Sequence, residues 1–178
     1  QLIVFGLCAW GLRRSELASL HIENTELQVE SPYLSFDSRK NGPGTVALIY
    51  GQDLLKARIA QLSERQQWNG YLFPSSDARR EHVTGETLNR RFKSIASRAN
   101  VRVRTEIPTS KMGRRFWYSA YADAVETVIE RLQSVAHEQG SSDPMVVFHN
   151  YLSEEKRREY LRDAMYDRLA EAFEHDDE

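Results

Sequence analysis

One cysteine, Cys8, is all that the 178 residues provide, so an internal disulfide is excluded and a disulfide scaffold with it. No group of Cys and His has zinc-finger spacing, which removes a structural zinc site of the Cys type. Long apolar runs are missing as well. The best candidate, Leu2 to Trp10, falls far short of the roughly 18 residues that cross a bilayer and runs straight into Arg13 and Arg14, so no membrane span is expected. A basic leader followed by a small-residue cleavage site is also lacking, and the chain opens at Gln1 inside an apolar stretch, as expected of a piece of a longer protein. With a lone thiol and no secretory signal, the expected setting is reducing and cytoplasmic. What is present is the balance of a globular chain: 40% hydrophobic, 28% charged, mean hydropathy -0.60.

Charge of one sign is scarce overall, with a formal net of -2, but it is unevenly placed. Residues 153 to 178 carry ten acids against five bases, whereas Arg79 to Arg115 holds eleven Lys and Arg against three Glu. A local excess of that size suits an anion-binding face, and an ordinary solvated helix surface is the competing explanation.

Periodicity predicts mostly helices. Leu2 to Leu20 reads as a helix interrupted at Gly11; Leu54 to Leu62, Thr84 to Ala99, Ser110 to Leu132 and Ser153 to Phe173 read as further helices. Alternating segments at Leu27 to Glu30, Tyr33 to Phe36 and Thr45 to Ile49, with a turn after Lys40, predict a three-stranded antiparallel sheet. The expected class is α+β, mainly helical with a small antiparallel sheet. Gly140 to Pro144 reads as a break, and the acidic His175 to Glu178 end as disordered. Leu161, Met165, Leu169 and Phe173 recur at helical spacing, an apolar stripe expected to dock on a neighbouring subunit, or else to pack on its own core.

In Gly11-Leu12-Arg13-Arg14-Ser15-Glu16-Leu17 an Arg follows a small-residue bend at a helix start, with a carboxylate one turn on. That order can aim a guanidinium at an oxyanion and hold it from behind; a plain surface pair of Arg13 with Glu16 is the alternative. The segment resembles the first arginine box of tyrosine recombinases, the phage integrase family, written Gly-Leu-Arg-x-Ser-Glu-Leu. The resemblance runs from Gly11 to about Leu152 and implies the tyrosine recombinase catalytic fold over residues 1–152, with 153–178 as a carboxy-terminal helix and acidic tail and the family's amino-terminal DNA-clamping domain absent from this chain.

Carried over residue by residue, the family's β-hairpin lysine falls on Lys40. Its second box, usually His-x-x-Arg after a Pro, falls on Lys111-Met112-Gly113-Arg114 after Pro108, so Lys111 stands where His is usual. Some archaeal viral integrases resemble this chain in that departure. A register using Arg115 would put Met112 in the box, which has no useful chemistry. The third box falls on His137, with His149 as a rival, and the nucleophile on Tyr151, which follows an apolar run expected to seat it beside the core. The interval from His137 to Tyr151 is longer than the family's, and Tyr160 and Tyr166 are the competing tyrosines.

The resemblance implies breakage and rejoining of double-stranded DNA through a 3′-phosphotyrosine. Arg13 and Arg114 would clamp the scissile phosphate, Lys111 and His137 would add hydrogen bonds, Lys40 would protonate the leaving 5′-oxygen and Glu16 would orient Arg13. Arg90, Arg91 and Lys93 on the basic helix would contact DNA. No metal or other cofactor is expected; a homo-oligomer, a tetramer on DNA, is. The alternative is a DNA-binding or regulatory protein that keeps the fold without catalysis.

Overall fold

The computed structural model describes residues 1–40, 42–138, 140 and 143–174. They divide into two compact units, Gln1–Trp117 and Tyr118–Glu178, and the division falls inside one long helix, not at residue 152. The chain is mainly helical with one small three-stranded antiparallel sheet, the α+β composition that its periodicity predicts.

In the first unit the opening apolar run forms α1 (Leu2–Cys8), and the chain breaks over Ala9 to Arg13 before a short α2 (Arg14–Ala18). The break is wider than Gly11 alone. Trp10 within it is almost wholly buried, with its indole N–H donating to the Tyr50 carbonyl at 2.8 Å, and Leu7, Leu12, Leu17 and Leu20 are excluded from solvent. These residues are the heart of the core. The sheet follows as β1 (Thr25–Glu26), β2 (Tyr33–Phe36) and β3 (Gly44–Ala47), with β2 central and Leu34 and Phe36 facing inward at period two.

The expected first strand, Leu27 to Glu30, is not a strand. Pairing starts earlier, at Thr25↔Leu34, because Asn24 donates to the Ser35 carbonyl at 2.9 Å and fixes the register there; the alternating segment behind it leaves Val29 exposed with nothing to pack on. Along the other edge Tyr33 pairs with Ala47 and Phe36 with Gly44. Next come α3 (Gln52–Ser63), burying Leu55 and Leu62, and α4 (Gly85–Arg98), burying Leu88, Phe92 and Ala96 at i, i+4, i+8. Thr84 caps α4, its hydroxyl accepting from the Thr87 N–H at 3.1 Å.

The helix α5 (Ser110–Glu138) runs further than expected, to Glu138. In the second unit its buried residues, Ala120, Ala124, Val128, Leu132 and Ala136, recur every fourth position. A short α6 (Pro144–Val146), capped by Asp143, leads into a single π turn at Val147–Tyr151 and then α7 (Glu154–Phe173), whose start Ser153 caps by accepting from the Lys156 N–H at 3.2 Å. The middle of the apolar stripe of α7 packs within the chain: Met165 and Leu169 are completely buried, and Arg131 of α5 lies 4.0 Å from Asp167 of α7. Leu161 and Phe173, at the two ends of the stripe, are half-buried. Ser141, Ser142 and the acidic His175 to Glu178 end lie outside the described residues. Among the described residues no helix is long and apolar enough to cross a membrane.

Candidate functional site

Gly11 has φ +60, the left-handed region, and a Cβ there would come within 2.8 Å of the Trp117 ring. Both the turn and the close approach therefore require glycine. The turn delivers Arg13 to the N-cap of α2 with extended dihedrals, and Glu16 in the first turn reaches back: its Oε2 accepts from the Arg13 backbone N–H at 2.7 Å and its Oε1 from Arg13 Nη1 at 2.6 Å. The pair is more than a surface contact. Arg39, at the root of the β2–β3 turn, donates Nε to Oε1 at 2.9 Å and Nη2 to Oε2 at 3.2 Å, and Arg114 Nη1 stands 3.8 Å from Oε2.

Glu16 is thus a buried carboxylate, 7% exposed, ringed by three guanidinium groups. Burial works to raise its pKa, but the hydrogen bonds from Arg39 and Arg13 overcome it and hold the carboxyl down at about 2, from an ordinary 4.5. A depressed folded-state value means that the stabilisation is complete above about pH 4.5 and is lost as pH falls toward 2. Urea unfolding of wild type and Glu16→Gln is therefore expected to show a stability gap that is full at pH 7 and closes as pH is lowered through this window. A gap of constant size from pH 7 to pH 2.5 would contradict a charged Glu16.

The residues expected to form the second box lie at the start of α5. Asn89 of α4 accepts from both the Ser110 N–H at 3.0 Å and the Ser110 hydroxyl at 2.9 Å, tying the first residue of α5 to the middle of α4. Three residues later Gly113 lets α5 cross α1 closely; a Cβ there would lie 3.1 Å from Cys8 Sγ and 3.2 Å from Leu7 Cβ. The crossing sets Lys111 and Arg114 beside Arg13. These three cations and Arg14 line an open cavity of about 520 Å³, completed by Leu12, Ser15, Asn89, Thr109 and Ser110, and none of its lining residues is acidic. Arg14 also donates to Glu86 of α4 at 2.8 Å. Such a cavity of guanidinium, ammonium and hydroxyl groups suits a phosphate and its adjoining sugar. Arg114 lines the cavity, whereas Arg115 is exposed and outside the lining.

The remaining sequence candidates divide. Lys40 is exposed in the β2–β3 turn and is not among the lining residues, and its neighbour Asn41 is outside the described residues. Arg90, Arg91 and Lys93 are exposed on α4. His137, in the last turn of α5, and Tyr151 belong to the second unit. Tyr151, at the end of the π turn, is 78% exposed, so the apolar run ahead of it does not seat it beside the core, and Met145 and Val146 in α6 are themselves exposed. His149 Nδ1 lies 3.4 Å from Arg157 Nη1, and that guanidinium covers the Phe148 ring at 5.7 Å.

Three residues of the first unit were not singled out by sequence reasoning. Arg39 completes the Glu16 cradle, Asn89 anchors the start of α5, and Arg14 lines the cavity. Only Arg14 carried a signal, its place inside the arginine box. No protein-family model, curated protein or solved structure matches this chain.

Lys111 is the residue by which this cavity departs most from a His-bearing second box. If the chain cleaves DNA as the resemblance implies, Lys111→Ala is expected to slow that step by a factor on the order of a hundred, about the effect of removing one transition-state donor, with Lys111→His retaining part of the rate. Equal single-turnover rates for wild type and Lys111→Ala would remove Lys111 from the site.

Proposed function

We propose that this chain is the catalytic part of a tyrosine-type site-specific DNA recombinase, breaking and rejoining DNA through a 3′-phosphotyrosine without a metal. The observation that carries the reading is the convergence of Arg13, Lys111 and Arg114 on one acid-free cavity, with Glu16 behind two of them. That residues about a hundred positions apart line one cavity supports this reading. Arg13 and Arg114 neutralise the non-bridging oxygens of the scissile phosphate and Lys111 adds a third donor. Tyr151 attacks phosphorus in line with the departing 5′-oxygen, Lys40 supplies that oxygen's proton and His137 contributes a further hydrogen bond. The bond energy is kept in the phosphotyrosine, so a second DNA end reverses the step. Arg90, Arg91 and Lys93 bind the flanking duplex, and recombination assembles a tetramer of the chain on DNA.

The alternative, a DNA-binding or regulatory protein that keeps this arrangement without cleaving, is favoured by Lys111 in the second box and by the long interval to an exposed Tyr151. A nicked suicide duplex separates the two. On the first reading the chain becomes covalently joined to the 3′ end; on the second it binds and releases the duplex intact. Either way, association with duplex DNA is expected to weaken steeply between 50 and 200 mM salt, by on the order of tenfold or more, because cation–phosphate contacts release counterions. Salt-independent binding in fluorescence anisotropy would count against both.

A further inference from the structure

We propose, resting on the reading of the cavity as a cleavage site, that Arg39 is a positioning residue that fixes the β2–β3 turn, and with it Lys40, to the Arg13–Glu16 pair. Arg39 is tied at both ends. Its carbonyl accepts from the Gly42 N–H at 3.1 Å inside the turn, while its planar guanidinium forks onto both oxygens of Glu16 in α2. The stem between them is held as well, with the guanidinium 5.3 Å over the buried Phe36 ring and the side chain only 17% exposed.

Strand pairing cannot do this work, since the last paired residues of the hairpin are Phe36 and Gly44 and beyond them Asp37, Ser38, Lys40, Gly42 and Pro43 are exposed. Lys40 is the residue next to the anchor. An exposed lysine on an untethered turn loses backbone and side-chain freedom each time it meets a leaving group, whereas one whose neighbour is bolted to the phosphate-binding arginine arrives with the backbone part already ordered. Glu16 then serves two cations at once: it orients Arg13 from one side and holds the turn of Lys40 from the other.

The role is tested through the proton that Lys40 delivers. In cleavage the Tyr151 hydroxyl gives up its proton to solvent water as its oxygen bonds to phosphorus, the bond from phosphorus to the 5′-oxygen breaks, and that oxygen takes a proton from the Lys40 ammonium. With sulfur in place of the bridging oxygen, the leaving thiolate needs no proton. The probe is a nicked suicide duplex carrying a 5′-bridging phosphorothiolate at the phosphate where wild type cleaves the unmodified duplex. Arg39→Gln and Arg39→Lys are expected to slow adduct formation on the oxygen duplex by on the order of tenfold to a hundredfold, and to match wild type within about threefold on the sulfur duplex. Arg39→Lys keeps the charge beside Glu16 and so the fold, but one ammonium cannot make the fork, and it carries the test if Arg39→Gln unfolds.

Equal slowing on both duplexes would place Arg39 behind Arg13 or the fold and overturn the proposal, as would full activity of Arg39→Lys on the oxygen duplex. A wild-type chain that forms no adduct on either duplex overturns the cleavage reading itself, and the role of Arg39 with it.

Discussion

Tyr151→Phe is expected to abolish the covalent DNA adduct while leaving duplex affinity and thermal stability unchanged. The substitution removes one oxygen and nothing else. Because Tyr151 is 78% exposed at the end of the π turn, the fold loses no buried hydrogen bond or packing, so any lost activity is chemical. Removal of a covalent nucleophile lowers rates by on the order of a thousandfold or more, which in a gel-based trapping assay reads as no adduct. Tyr160 and Tyr166, on α7, are 40% and 47% exposed and are the rival nucleophiles. An adduct that persists in Tyr151→Phe and vanishes in Tyr160→Phe would reassign the nucleophile; one that survives every single Tyr→Phe change would remove tyrosine chemistry altogether.

The second large effect concerns Glu16. Replacing it by Ala is expected to lower stability at pH 7 by about 3 to 5 kcal/mol, the usual result of removing one member of a buried, hydrogen-bonded charge group. The shift of its carboxyl from 4.5 to about 2 corresponds to roughly 3 kcal/mol by itself, in the same range. Both oxygens of Glu16 accept two hydrogen bonds, and without them the Arg13, Arg39 and Arg114 guanidinium groups face one another with no counter-charge. Repulsion then acts where the core is tightest, next to the wholly buried Leu17. Glu16→Gln keeps the shape and part of the hydrogen bonding and is expected to fall between Ala and wild type. Chemical denaturation checks the order, and a Glu16→Ala protein within about 1 kcal/mol of wild type would show that the cluster is held by its surroundings and not by the carboxylate.

Much of the fold is legible locally. Apolar residues at i and i+4 mark α4 at Leu88, Phe92 and Ala96, and capping hydroxyls mark its start at Thr84 and that of α7 at Ser153, because both signals depend on neighbours within one helical turn. The first strand was misplaced for the complementary reason: alternation at Leu27 to Glu30 says which residues would share a face, but a hydrogen bond from Asn24 to a strand eleven residues away decides where pairing begins. The stripe on α7 shows the same limit, since periodicity reveals an apolar face and is silent on what covers it.

Local pattern is enough for the mainly helical α+β class, for Arg13 with a carboxylate three residues on, and for the basic stretch that ends at Arg115. Each is written in residues adjacent along the chain or one turn apart. Packing settles the rest: Arg39 shares Glu16 with Arg13, Asn89 fixes the start of α5, and Lys111 and Arg114 line one cavity with Arg13 while Lys40 stays outside its lining. Those relations join residues about 20 to 100 positions apart. They depend on the crossing of α5 over α1 at Gly113 and on a buried carboxylate that must collect several cations to remain charged, and neither has a spacing that one-dimensional pattern can express.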